Sequence, residues 1–236
     1  MKRSVILFLC FLATTALYSQ SVEGAWERYD TNDAGEKLKS VVVFTEGYQV
    51  LTVYKADTGE FVHTNGGSYV LNGTTMTEVC EFNSDQEDAV GKEVSFEIEL
   101  TDNSLGIKGY DMDFKRIDDG TPGELQGAWL MSGRKRNGEI QQRDTSRPRK
   151  TMKILSGTRF QWIAYNTETK QFMATGGGTY TTVDGKYTEN IEFFSRDNSR
   201  VGASLEFDFS LQEGNWHHSG FSSKGDPLYE IWSERE

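Results

Sequence analysis

Cysteine, proline and long apolar runs are all scarce in this 236-residue chain, and each scarcity excludes something. The two cysteines are Cys10 and Cys80. Cys10 falls in an N-terminal segment that reads as removable, so the mature chain has no internal disulfide open to it and must hold by burial. Three prolines beside 24 glycines and 12% aromatics do not describe a disordered tail. They suit short strands joined by glycine turns. The one sustained apolar run extends from Val5 to Ala13, after Lys2 and Arg3 and before the polar Tyr18-Ser19-Gln20. That is the layout of a secretory signal peptide over residues 1–20, with cleavage expected near Ser19 or Gln20. The alternative, a lipoprotein signal acylating Cys10, meets Leu9 where a small residue is needed. No other stretch approaches the roughly 18 apolar residues of a spanning helix. Basic residues are also in deficit, 25 against 36 acidic, for a formal charge of -11. Such a balance argues against nucleic acid and gives no reason for attraction to anionic lipid. The expectation is an exported chain, periplasmic or extracellular.

What is abundant is self-similarity. Residues 44–110 superpose on residues 155–221 without a gap, with about a quarter of positions identical. The identical pairs include Tyr54/Tyr165, Phe61/Phe172, Gly67/Gly178, Tyr69/Tyr180, Glu78/Glu189, Glu81/Glu192 and Phe96/Phe207. Upstream the offset shortens, so that Gly24-Ala25-Trp26 repeats as Gly127-Ala128-Trp129 and the second copy gains about eight residues after its first strand. Asp118-Asp119-Gly120-Thr121-Pro122-Gly123 is a turn-rich join. The units are predicted at 21–118 and 124–236, with a linker at 119–123.

Within each copy the apolar residues alternate with period two, the mark of half-buried strands. In copy one strands are predicted near 24–29, 39–45, 48–55, 60–64, 67–72, 74–84, 93–101 and 104–117, the last as a hairpin. No segment of ten or more residues has a helical period. The fold class is therefore all-β: two tandem antiparallel up-and-down barrels of about eight strands each, closed so that no sheet edge is left exposed. A sandwich of the same strands is the alternative.

Gly-x-Trp on the first strand of both copies resembles the opening motif of the lipocalins and their calycin relatives. The resemblance implies a Trp plugging the closed end of each barrel with a basic residue from the last strand lying across it. Arg116 is that partner in copy one. In copy two Tyr229-Glu230-Ile231-Trp232 offers no basic residue before Arg235, the units are short for lipocalins, and the helix before the final strand is missing. A closer resemblance is to the uncharacterised lipocalin-like domains of secreted Bacteroidota proteins. It rests on Gly-Gly-x-Tyr (Gly177 to Tyr180) and Tyr-x-Glu (Tyr187 to Glu189).

Alternation places Tyr187, Glu189, Ile191 and Phe193 on one strand face, and Met76, Glu78, Cys80 and Phe82 on the matching face of copy one. That face is apolar and should look inward, yet it carries a carboxylate in both copies. A carboxylate taken out of water needs a partner. It is either a structural glutamate satisfied by tyrosine, arginine or backbone, or the polar anchor of a ligand cavity. Tyr69 and Tyr180 are its expected neighbours, and the glycines before them mark a bent strand at a barrel corner rather than a phosphate loop. Copy two lines its interior with Phe160, Trp162, Phe207, Phe209 and Trp216, where copy one has the less aromatic set Gln49, Leu51, Phe96, Ile98 and Leu105. That is either a different core or an aromatic cavity fit to stack on a ring. The candidate ligand set is Glu189, Tyr180, Tyr187, Trp162, Phe207, Trp216, Glu78 and Tyr69.

Enzymatic machinery is hard to assemble. His63, His217 and His218 do not recur between copies, and His217 and His218 point to opposite faces. A haem barrel with His63 or His218 as the proximal ligand is a minor alternative. Cys80 is expected to be a buried, inert thiol. Glu78 and Glu189 lie in different units and cannot act as a glycosidase pair. The acidic run Asp85-Gln86-Glu87-Asp88 reads as a solvated turn. No catalytic residue, metal or cofactor is assigned. The insertion of copy two gathers Arg134, Lys135, Arg136, Arg143, Arg147, Arg149 and Lys150 against Glu139 and Asp144. It is a solvated hairpin, or a rim attracting an anionic partner. The reading that follows is an exported, non-enzymatic binding protein for a small apolar or glycan-derived ligand. The alternative is an interaction module of the cell envelope with filled barrels.

Overall fold

A computed structural model describes residues 21–121, 123–222 and 224–235. The signal segment expected over residues 1–20 lies outside the described residues. The chain is all-β and forms two closed eight-stranded antiparallel barrels in tandem. Barrel 1 runs in sequence order through β1 (Gly24–Thr31), β2 (Lys37–Thr45), β3 (Tyr48–Lys55), β4 (Phe61–Asn72), β5 (Thr75–Asn83), β6 (Glu93–Leu100), β7 (Ser104–Ile107) and β8 (Asp113–Asp118). It closes where β8 pairs with β1. Barrel 2 contains β9 (Gly127–Arg136), β11 (Arg149–Leu155), β12 (Arg159–Asn166), β13 (Phe172–Val183), β14 (Lys186–Phe194), β15 (Ser204–Gln212), β16 (Asn215–Phe221) and β17 (Pro227–Glu234). It closes by pairing β17 with β9. The basic insertion forms an additional short strand, β10 (Glu139–Gln142), hairpin-paired to the end of β9.

Two strands predicted separately, 60–64 and 67–72, are one. β4 passes through Gly66-Gly67 without ending, and its pairing with β5 shifts by one residue there. β13 and β14 carry the same shift at Gly177-Gly178. Only glycine fits: a Cβ on Gly67 would sit 2.0 Å from the Val79 carbonyl oxygen, and one on Gly178 equally close to that of Asn190. The extra residue is Glu81 on β5 and Glu192 on β14, and it inverts the side-chain alternation beyond it. Phe82 and Phe193 therefore do not share the inward face of Glu78 and Glu189, as strict alternation predicts. They pack between the barrels. Cys80, expected buried, is half-buried; it stands opposite Gly67 in the ladder and faces the open vestibule of barrel 1.

The described residues have three apolar clusters. One fills barrel 1 around Trp26, Val42, Phe44, Met76, Ile98 and Phe114. A second fills barrel 2 around Trp129, Phe160, Tyr187, Phe207, Trp216 and Trp232. The third joins the barrels, with Val41, Val43, Val50, Tyr54 and Phe82 against Met152, Ile154, Ile163, Tyr165 and Phe193. This explains why β2 is apolar without alternation from Val41 to Phe44: one face looks into its own barrel, the other into the neighbour. At the centre of the joint Gln161 Nε2 donates to Thr64 and Thr175, which are equivalent positions of the repeat. The joint thus has the reciprocal character of a twofold interface within one chain.

One end of each barrel is sealed by its Gly-x-Trp strand. Trp26 Nε1 donates to the Val22 carbonyl at 2.8 Å and Trp129 Nε1 to that of Leu125 at 2.9 Å. The Arg116 guanidinium lies over the Trp26 ring at 4.0 Å and donates to the Ser21, Glu23 and Asp102 carbonyls. Arg235 does not repeat this arrangement; it stacks on Tyr48 of barrel 1 at 4.1 Å and pairs with Glu81 at 2.7 Å.

A candidate ligand cavity in the second barrel

The strands of barrel 2 bring four ionisable side chains to one place at its open half. β14 presents Glu189, β11 Lys153, β16 His218 and β17 Glu230. Lys153 Nζ lies 2.7 Å from Glu189 Oε1, with both side chains almost fully buried. The same ammonium stands 4.8 Å from the Trp216 ring centre, 5.0 Å from that of Tyr187 and 5.1 Å from that of Trp232. Three ring faces and one carboxylate thus replace the water lost by the lysine. Beside it, His218 is 2% exposed, its Nδ1 3.4 Å from Glu230 Oε2 and poorly aligned for a hydrogen bond. Burial, reinforced by the Lys153 charge, pushes its pKa down, so the ring is neutral at neutral pH.

These groups line a cavity of about 280 Å³ together with Trp162, Ile191, Phe194, Leu205, Phe207 and Trp232. Arg200 and Ser222, from the segments between strands, complete the lining. The composition is that of a small-molecule site: mostly apolar and aromatic walls with a few convergent polar groups. The Tyr187 hydroxyl, the indole nitrogens of Trp216 and Trp232 and both His218 nitrogens are buried without a well-aligned hydrogen bond among the described residues, although Glu189 lies beside the Tyr187 hydroxyl and Glu230 beside His218 and the Trp232 indole. Burial, aided by the Glu189 charge, raises the Tyr187 pKa well above its ordinary value, so the phenol stays protonated and able to donate. Buried polar groups are rarely left unpaired, so this concentration beneath one cavity sets barrel 2 apart and makes it the candidate site.

Of the residues singled out from sequence, Glu189, Trp162 and Phe207 line the cavity, and Tyr187 and Trp216 pack directly beneath it against Lys153. Tyr180 stands opposite Glu189 in the ladder, but its hydroxyl donates to the Ser156 carbonyl, away from the cavity. Tyr69 does the same in barrel 1 with the Thr45 carbonyl. Phe160 belongs to the barrel 2 core and Phe209 packs against it. His217 faces outward as expected and meets the Tyr229 hydroxyl at 2.8 Å. Lys153 and Glu230 were not anticipated. The available signal was a lysine inside the apolar run Met152-Lys153-Ile154-Leu155, whose counterpart is Val41-Val42-Val43-Phe44.

The basic insertion extends β9 as a hairpin next to this cavity. Arg134, Arg143, Arg147 and Arg149, with Asp144, line a broad exposed recess that shares Met131 with the cavity. Arg143 is held by Thr151 Oγ1 and the Arg149 carbonyl, whereas Arg134, Lys135 and Arg136 are solvent-exposed.

Barrel 1 has the homologous chamber without its chemistry. Glu78 occupies the position of Glu189, with Tyr69 and Val94 as ladder partners where Glu189 has Tyr180 and Leu205. Around it Val42, Met76, Leu105, Ile107, Met112 and Phe114 line a cavity of about 170 Å³. Burial lifts the Glu78 pKa to about 7. Among the described residues no group of His, Cys, Asp and Glu is arranged to hold a metal ion, and no helix is long and apolar enough to cross a membrane.

No curated protein matches the chain. Residues 124–235, the whole of barrel 2, match the family model of a domain of unknown function, DUF4488.

Proposed function

We propose that this chain is an exported, non-enzymatic binding protein whose lipocalin-like second barrel holds a small ligand at its open half. The observation that carries the reading is the cavity over the Lys153–Glu189 pair, walled by Trp162, Phe194, Phe207 and Trp232. Aromatic walls favour the faces of a ring, and the few polar side chains in the lining, Lys153, Glu189, Ser222 and Glu230 among them, favour hydroxyl or carboxyl groups, so a glycan-derived ring suits the site best, with a small apolar ring next. The volume, near the lower end for small-molecule sites, limits the ligand to one ring or a short chain. Lys153 and His218 each have a carboxylate beside them and Tyr180 is turned away, which supports holding rather than turnover. The exposed arginines at the rim, with Lys135, would draw an anionic ligand or partner toward the opening in an otherwise acidic protein.

The test is thermal stabilisation and calorimetry of the whole mature chain with glucuronic acid, phenyl β-glucoside and decanoate. The reading expects at least one to bind, and Trp162→Ala to weaken it by about tenfold or more. If none of the three binds and a crystal structure has the cavity filled by side chains, the binding reading fails. The envelope interaction module, with the basic rim as its working surface, then takes its place.

A further inference from the structure

The inward glutamate of barrel 2 is matched by the chain's own ammonium; that of barrel 1 is not. The registers make the comparison strict. Lys153 stands opposite Trp129 in the β9–β11 ladder, and Val42 stands opposite Trp26 in the β1–β2 ladder. Val42 thus occupies the lysine position, and Glu78 has no hydrogen bond or salt bridge among the described residues. Most of its walls are apolar: Leu51, Phe96, Ile98 and Leu105 with the side chains already named. Gln49 and Asn65 beside it are the other polar groups of the chamber, and their side chains have no hydrogen-bond partner among the described residues. Both can offer amide oxygens to a cation.

The approach to this chamber has a sign. Gln49, Asn65 and Glu78 also line an open vestibule of about 810 Å³ whose other residues include Asp85, Glu87 and Asp88 against Lys92. That surface attracts cations, the opposite of the arginine-rich recess over barrel 2. Barrel 2 supplies the internal precedent: a primary ammonium on a four-carbon stem, seated on the equivalent carboxylate inside an apolar barrel.

We propose that barrel 1 is a second, separate binding site, for a small apolar molecule bearing a primary amine, with the ammonium on Glu78 and the carbon chain among Val42, Phe96, Leu105 and Phe114. The chamber is large enough, since an apolar cavity of about 150 Å³ can hold a benzene-sized molecule. The site stands independently of what barrel 2 binds.

The experiment uses the whole mature chain at pH 8, where Glu78 is ionised and an alkylamine is still protonated. Hexylamine, hexanol and hexanoate are titrated by calorimetry. Hexylamine should bind at least about tenfold tighter than hexanol, the contribution expected of a charge-assisted contact, and hexanoate should not bind. Glu78→Gln should abolish the preference for the amine, and Glu189→Gln should leave it unchanged. Val42→Lys, which supplies an internal ammonium as barrel 2 does, should eliminate hexylamine binding. Equal binding of hexylamine and hexanol, or amine binding that survives Glu78→Gln, overturns the proposal. Loss through Glu189→Gln alone also overturns it, because it would assign the amine to barrel 2.

Discussion

The Tyr54 hydroxyl of barrel 1 donates to Glu192 Oε2 of barrel 2 at 2.5 Å, and its repeat equivalent Tyr165 donates to Glu81 Oε2 at 2.7 Å. Each barrel thus lends the other a tyrosine and takes one back, around bulged glutamates that face the Gly-Gly pairs within β4 and β13. Glu192 further holds Arg159 at 2.6 Å and Lys39 at 3.5 Å, while Glu81 holds Arg235. Burial by itself would raise the Glu192 carboxyl. The Arg159 charge, the Tyr54 hydroxyl and Lys39 outweigh it and bring the pKa below its ordinary value.

Tyr54→Phe should therefore cost about 1.5–3 kcal/mol, the range for a hydrogen bond to a charged group. Tyr165→Phe should cost a similar amount. The two bonds belong to one interface, so the double variant is expected to deviate from additivity. Calorimetric unfolding reads it: the wild-type chain should melt with the barrels coupled, and the double variant should separate into two transitions. The Glu192 contribution should be present above the ordinary carboxylate pKa and disappear as pH falls through the lowered value. Acid should therefore uncouple the barrels before it unfolds them. A single unchanged transition in the double variant would refute the role given to this pair.

The Lys153–Glu189 pair makes a sharper prediction because it is buried and shared with the ligand cavity. Lys153→Met leaves an uncompensated carboxylate in the barrel and should destabilise by about 3–5 kcal/mol. Lys153→Met with Glu189→Leu removes both charges and should recover most of that loss. Chemical denaturation of the three proteins provides the comparison. A double variant as unstable as the single one would mean that the aromatic ring faces, not the carboxylate, support the ammonium.

Much of this was legible in sequence, and the illegible parts have physical causes. Period-two alternation and the duplication give two all-β barrels, and Gly-x-Trp locates the sealed ends with Arg116 over Trp26. Glu189 was correctly read as inward because the bulge lies beyond it, between Ile191 and Phe193. Phe193 and Phe82 were read on the wrong side for that same reason: an inserted residue is invisible to alternation counting. Alternation alone puts Glu81 and Glu192 on the outer face of their strands, and nothing in one strand tells that a second barrel covers that face. Their identity in both copies, together with that of Tyr54 and Tyr165, was the trace left in the sequence. Lys153 was missed because a lysine in a strand is ordinarily solvated, and only the three-dimensional closure shows it enclosed.

The bulge itself can be tested. Gly178→Ala would force a Cβ to within 2.0 Å of the Asn190 carbonyl oxygen and 2.7 Å of the Glu192 nitrogen. Backbone atoms cannot give way cheaply, so the cost should reach about 3 kcal/mol, the upper part of the overpacking range. Because the bulge aims Glu192 and Phe193 at barrel 1, the same substitution should also weaken the joint. Gly185 offers a control: a Cβ there meets nothing, though its φ of +75° is left-handed. Gly185→Asn should cost well under about 1 kcal/mol, since asparagine tolerates that conformation. Thermal unfolding of both variants decides; equal losses would mean that strain, not the close approach, governs these glycines.

Glu78 gives the pH dependence a distinct signature. Its carboxyl titrates near pH 7 in the fold, raised from 4.5 by burial. Between those values the folded chain retains a proton that the unfolded chain has released, so the unfolded state binds fewer protons. Stability contributed by this group is full at low pH and falls as pH rises through about 7. The loss is bounded at about 3 kcal/mol, and it should be smaller because the carboxyl keeps some contact with solvent. Glu78→Gln cannot ionise, so it should match the wild-type protein near pH 4.5 and exceed it in stability at pH 8. Denaturation of both proteins from pH 4.5 to 8 isolates this group, since every other titrating residue is common to the two. Parallel curves across that range would mean that Glu78 has a charged partner or open access to water.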